Sequence, residues 1–360
     1  MAFKSIKIGK HEIKYPIIQG GMGVGVSWDQ LAGTVSQEGG LGVISTVGTG
    51  YYQYPRFLEN SKGERPNALD CNSLNALKEI FKNARKICKD KPLATNIMHV
   101  LTGYKQNVVD ACEAGTDIII CGAGLPTDLP VLTKDYPDVA LVPIVSSVKA
   151  TKIIFKRWAR TGKIPDAVVV EGPKSGGHQG FTAENCEKNE FQLENIIIPI
   201  IEFCNEQNVP VIAAGGIWDK KDIEYYIDIG CVGVQMGTRF VMTDECDTSL
   251  EHKMTIMNAT KEDITLKGSP VGFPSRSITS NIHDLMKKNE APKIKCVSNC
   301  VSPCKNGEGA KQVGYCIADR LSDTIFGKSD TGLFFTGTNG YKANKIISVK
   351  ELMNKLLNGE

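Results

Sequence analysis

The sequence predicts an α/β protein, a (β/α)8 TIM barrel with a mainly helical or irregular C-terminal extension. Apolar runs of strand length recur at 15–19, 41–45, 92–97, 117–121, 140–144, 167–171, 209–214 and 232–236. Eight is the number of parallel strands that closes such a barrel. Amphipathic stretches near 27–38, 74–89, 105–114, 128–136, 148–160, 193–206 and 219–229 fill the gaps, the alternation of βα units. Three later strands run into glycine-rich loops at their carboxyl ends, where α/β folds build their sites.

The first strand leads into Gly20-Gly-Met-Gly-Val-Gly25. A doubly wound open sheet would carry a G-x-G-x-x-G fingerprint there, but position 26 is Val and position 28 is Trp. A P-loop pattern is also missing, so the barrel is the better reading. Residues 46–73 exceed an ordinary βα loop and carry Tyr51, Tyr52, Tyr54 and Phe57; they are expected to form a lid over the barrel mouth. Asp219 followed by Asp222 marks a helix start, with carboxylates at the positive end of the dipole. From about residue 260 the alternation stops. The expected division is a barrel over 1–259 and an extension over 260–360 packed on it, with helices near 276–289, 310–322 and 347–357.

The most informative loop is Val168-Val-Val-Glu-Gly-Pro-Lys-Ser-Gly-Gly-His-Gln-Gly180, which holds one of five histidines. Its glycines allow positive φ and close approach to a ligand, and His178 is the side chain there suited to proton exchange. Taken alone, the loop fits equally well a glycine-rich turn with a solvated histidine. Two further segments, Val209-Pro-Val-Ile-Ala-Ala-Gly-Gly-Ile217 and Gly233-Val-Gln-Met-Gly-Thr-Arg-Phe240, repeat the design. They correspond to the loops after strands 7 and 8 of a barrel, a common phosphate site. Backbone N–H groups of Gly215, Gly216, Gly237 and Thr238 are candidate phosphate donors. Ser146, Ser147 and Gly122-Ala-Gly124 also end strands, as pocket lining or as plain turns.

Composition narrows the function classes. A chain of 360 residues with 41% hydrophobic and 23% charged residues is of ordinary globular type. A net charge of +2 without a dense basic cluster argues against nucleic acid. The start lacks a signal-peptide core, and no apolar run reaches the roughly 18 residues of a membrane span. A cytoplasmic protein is expected, acting on a small molecule, with a homodimer allowed.

The ordered set Ile18-Gln-Gly-Gly-Met22, Asn96-Ile-Met98, Glu171-Gly172, Gly176-Gly-His-Gln-Gly180, Ala213-Ala-Gly-Gly216 and Gln235-Met-Gly-Thr-Arg-Phe240 resembles the nitronate monooxygenase family. That family includes FMN-dependent enoyl-ACP reductases of the second type. The resemblance covers roughly residues 8–245 and implies an FMN-containing barrel. It implies flavin contacts at Gly20, Gly21, Met22 and Asn96, and at Glu171, where relatives often carry Gln. Phosphate-end contacts would fall on Gly176, Gly177, Gly215, Gly216, Gln235, Met236, Gly237 and Thr238. His178 matches the histidine placed over the flavin, the implied catalytic residue. Nitronate oxidation with O2 is the leading expectation. Enoyl or other enone reduction with NAD(P)H is the alternative, and a non-catalytic flavin binder the remote one.

Twelve cysteines are present. Cys71, Cys88, Cys112, Cys121, Cys186, Cys204, Cys231 and Cys246 are scattered, several in apolar runs, as expected of reduced buried thiols. Cys296, Cys300, Cys304 and Cys316 cluster with x3, x3 and x11 spacing. Zinc or an iron–sulfur cluster is one reading, reduced thiols in an irregular segment the other. No metal ligand set is assigned.

Overall fold

The computed structural model describes residues 3–50, 74–294, 296 and 299–359. An antiparallel hairpin opens the chain, β1 (Ile6–Ile8) paired with β2 (His11–Ile13). The barrel strands follow: β3 (Ile17–Gln19), β4 (Gly42–Ser45), β5 (Leu93–Met98), β6 (Ile118–Gly122), β7 (Ala140–Val145) and β8 (Val168–Glu171). A two-residue strand, β9 (Gly177–His178), precedes β10 (Val211–Ala214) and β11 (Gly233–Met236). The eight-stranded sheet runs β3-β11-β10-β8-β7-β6-β5-β4. A parallel bridge between Ile18 and Leu41 joins its two edges and closes the barrel.

All eight predicted strands form, and the reason is visible in how their faces divide. Ile18, Val43, Ile120, Val142, Val169 and Ile212 belong to one buried cluster, which Ile6, Ile8 and Ile13 of the hairpin join. Their neighbours of opposite parity, among them Ile17, Val168, Val170, Val211, Ala213 and Val234, sit in a second cluster shared with helix residues such as Ile200, Ile201 and Ile223. Strands buried on both faces must be apolar throughout, so they appear in sequence as continuous apolar runs.

The helices match expectation, with local chemistry that explains their ends. Asp219 and Asp222 form a capping box at the helix Lys220–Asp228, with Asp219 Oδ1 accepting from Lys221 N at 2.9 Å and Asp222 N at 3.1 Å. Ser147 caps the helix Val148–Trp158. The stretch expected to be helical over 128–136 keeps only Leu129–Leu132.

After residue 260 the chain is mainly helical or irregular but also carries β12 (Ile264–Lys267) and β13 (Ser275–Ile278). Residues 276–278 are therefore strand where a helix was expected, and the helix begins at Asn281. The reason is tertiary: β13 pairs with β12 on one side and with β9 on the other, opposing Ser275 to His178 and Arg276 to Gly177. Most of the expected lid falls in residues 51–73, outside the described part. No helix among the described residues is long and apolar enough to cross a membrane.

Candidate active site

All eight barrel strands deliver residues to one cavity of about 920 Å³, through Gly20, Thr46, Met98, Gly122, Val145, Glu171, Ala214 and Met236 at or just beyond their carboxyl ends. That volume is in the range of small-molecule and cofactor sites. Every residue predicted for the site borders it: Gly20, Gly21, Met22, Asn96, Glu171, Gly176, Gly177, His178, Gly215, Gly216, Gln235, Met236, Gly237 and Thr238. Ser146, Ser147 and Gly122-Ala-Gly124 do so as well.

Glycine is required at two of these places. Gly215 has φ +99, and a Cβ there would meet Gly172 O at 2.8 Å. A Cβ at Gly176 would stand 2.6 Å from the Thr336 carbonyl carbon. The two loops are thus packed backbone to backbone around the cavity.

Hydrogen bonding sorts which groups remain for a ligand. Gly20 N donates to Met236 O at 2.8 Å and Met22 N to Ser27 Oγ at 2.9 Å. Those two amides are committed inside the protein, which leaves their residues to contribute shape. Thr238 Oγ1 accepts from Gly337 N at 2.9 Å and retains its own proton. By contrast, Gln235 Oε1, Ser175 Oγ and Gln179 Oε1 are buried at the cavity without a hydrogen-bond partner. Buried polar atoms are rarely left so in a finished structure. Gln235 Oε1, Ser175 Oγ and Gln179 Oε1 thus offer polar atoms to a small molecule or cofactor bound in the cleft.

Two of the titratable groups at the cavity, Glu171 and His178, were among the predicted site residues. Burial pushes the Glu171 carboxyl up to about 7 and the His178 imidazole down to about 4. In both cases the charged form is disfavoured by desolvation, so His178 is neutral at neutral pH. Its Nε2 lies 2.7 Å from Ser269 Oγ, and Phe335 meets the ring edge-on with centroids 5.5 Å apart.

The sequence reading missed what the extension brings. Phe335, Thr336, Gly337, Asn339 and Gly340 border the cavity. Thr338 N donates to Lys174 O at 3.1 Å, and Asn339 Nδ2 to Gly216 O at 2.6 Å. A signal was present: Gly332-Leu-Phe-Phe-Thr-Gly-Thr-Asn-Gly340 is another apolar run ending in glycines. His252, also missed, is buried at the cavity with Nδ1 2.9 Å from Thr248 Oγ1, and burial lowers it to about 4. Nothing in its surroundings in sequence marked it.

Among the scattered cysteines, Cys88, Cys112, Cys121, Cys186, Cys204, Cys231 and Cys246 are buried free thiols; Cys71 lies outside the described residues. Of the clustered four, Cys300 borders the cavity and Cys296 is exposed. Among the described residues, no group of three or more His, Cys, Asp or Glu side chains is arranged to hold a metal ion.

A closed (β/α)8 barrel with a cofactor-sized cleft at the carboxyl ends of its strands, and a neutral histidine on a glycine loop inside it, is the architecture of a barrel enzyme. The family model for nitronate monooxygenase matches residues 4–359. The chain belongs to the nitronate monooxygenase family, and it is an oxidoreductase whose flavoprotein character follows from that membership. It is 26% identical over 302 residues to a probable nitronate monooxygenase of Staphylococcus saprophyticus, covering 78% of this chain and 80% of that one. The structure of FabK from Thermotoga maritima superposes with a TM-score of 0.71 at 25% identity, covering 96% of this chain and 93% of FabK. A nitroalkane oxidase from Streptomyces ansochromogenes shares the fold, with a TM-score of 0.69 at 17% identity over 96% of this chain and 95% of that one.

Proposed function

We propose that the protein is an FMN-dependent nitronate monooxygenase, oxidising alkyl nitronates with O2 to a carbonyl compound and nitrite. The observation that carries this is the neutral, desolvated His178 facing a cleft whose buried polar oxygens are unmet, in a chain matched end to end by that family. The chemistry a bound flavin supplies is electron acceptance from the substrate, with O2 completing the oxidation.

The protein's own part is binding, orientation and proton control. Gly176, Gly177, Gly215, Gly216, Gln235, Met236, Gly237 and Thr238 would hold the phosphate end. Gly20, Gly21, Met22, Asn96 and Glu171 would hold the ring system. His178 would hold the nitro oxygens of an anionic nitronate, or take the proton from a neutral nitroalkane. The likeness to FabK supports a second reading, NAD(P)H-dependent reduction of an enoyl thioester. In that reading His178 would stabilise the developing enolate.

Anaerobic stopped-flow separates the two. Flavin bleaching by propionate 3-nitronate, without bleaching by NADH or NADPH, is the expected result. Bleaching by a nicotinamide cofactor alone would overturn the nitronate reading in favour of the reductase.

A further inference from the structure

One segment of the extension, residues 336–340, lies directly on the loops that follow β8, β10 and β11. Gly337 N donates to Thr238 Oγ1 at 2.9 Å, Thr338 N to Lys174 O at 3.1 Å, and Asn339 Nδ2 to Gly216 O at 2.6 Å. Consecutive residues thus tie down each loop in turn. The contact is close: a Cβ on Gly176 would stand 2.8 Å from Gly337 N. Gly337 and Asn339 border the same cavity as the loops they hold.

Asn339 stands immediately before the short turn Gly340–Lys342, where an asparagine ordinarily caps the amides that follow. Its side chain makes no cap bond there. It reaches across the fold instead to the Gly216 carbonyl, which only accepts, so the amide nitrogen is the atom that faces it. What it holds is a pair of glycines, Gly215 at φ +99 and Gly216 at φ +85. Consecutive glycines have the most conformational freedom to lose on ordering. Among the described residues, the N–H groups of Gly216, Gly237 and Thr238 donate to no protein acceptor. An anion is held best by donors that already converge, because ordering them at the moment of binding costs affinity.

We infer that Asn339 is a positioning residue for the anion-binding end of the cleft. It locks Gly215 and Gly216 in the conformation that presents the Gly216 amide, and residues 336–340 act as a strap across the three loops. The inference rests on the proposed FMN reading, in which the cofactor phosphate meets these amides. In that reading the ring system is held by other loops, so loss of the lock weakens the phosphate end and leaves the ring contacts in place.

The test compares FMN with riboflavin, which has the same ring and no phosphate, on the full-length protein freed of bound flavin. Asn339→Ala should raise the FMN dissociation constant roughly five- to tenfold while that of riboflavin stays within about twofold. Asn339→Asp, equal in size but lacking the donor and bearing charge of the phosphate's own sign, should weaken FMN further. Hydrogen exchange of the flavin-free proteins reads the lock directly: amides of residues 215–218 and 336–340 should exchange faster in Asn339→Ala than in the parent. Equal weakening of FMN and riboflavin, or FMN affinity unchanged in both variants, would overturn the inference, as would unchanged exchange at both segments. A parent that binds neither flavin would remove the FMN reading, and faster exchange in the variant would then still uphold the lock.

Discussion

Replacing Glu171 with Gln should stabilise the protein increasingly as pH rises. Glu171 ends β8 and faces the cavity, and burial pushes its carboxyl from 4.5 to about 7. In the unfolded chain the group ionises near its ordinary value, so between these limits the folded state binds the extra proton. Folding stability tied to this group is therefore fully present below about 4.5 and is lost as pH rises through about 7. At about 1.4 kcal/mol per pH unit, the whole window is worth about 3 kcal/mol. Part of the carboxyl borders the cavity, where water screens it, so this is an upper figure. Gln keeps the size and one carbonyl oxygen and never ionises. Its stability relative to the parent should rise from under about 1 kcal/mol at pH 5 to as much as about 3 kcal/mol at pH 8. Any pH-independent cost of the swap is a constant offset and cancels from the trend. The assay is urea unfolding of both proteins at pH 5, 6, 7 and 8, with and without added FMN. A stability difference that stays flat across this range would show that Glu171 is ionised in the folded protein and that its desolvation has been misjudged.

Three further outcomes are expected. His178→Ala should retain FMN but lose roughly 10²–10⁴-fold in kcat/KM if the residue transfers a proton, and less if it only orients an anionic nitronate; parent-like turnover at equal flavin content would make the histidine a bystander. Thr238→Glu should fold with parent-like circular dichroism yet lose the cofactor, because the new carboxylate occupies and repels the phosphate position; the parent should release FMN on denaturation, and FAD in the parent or undiminished flavin in the variant would refute the placement. Trp158→Ala should cost about 3–5 kcal/mol in urea unfolding, since Trp158 is fully buried and its Nε1 donates to Pro126 O at 2.9 Å; a loss below about 1 kcal/mol would mean that the outer layer collapses around the gap.

The barrel, and the glycine loops that line its cavity, were determined locally and so were legible in the sequence. Strands buried on both faces, such as Val168–Glu171 and Val211–Ala214, must be continuous apolar runs. A loop that has to pass backbone against backbone must keep its glycines, as at Gly176 and Gly215. His178 stood out because it sits between such glycines. What tertiary structure alone decided is which surroundings those residues meet. No local pattern says that Ser275–Ile278 leaves helix for strand; that follows from its pairing with Gly177–His178 across nearly a hundred residues of chain. Nor can residue spacing reveal that Gly20 and Met22 commit their amides internally, or that Glu171 and His178 are desolvated enough to shift in opposite directions on the charge scale. Ser269 is unremarkable in sequence; it meets His178 Nε2 only because the chain after β12 folds back on the histidine loop. Hydrogen-bond partners and dielectric surroundings are properties of three-dimensional neighbours, and sequence order does not encode them directly.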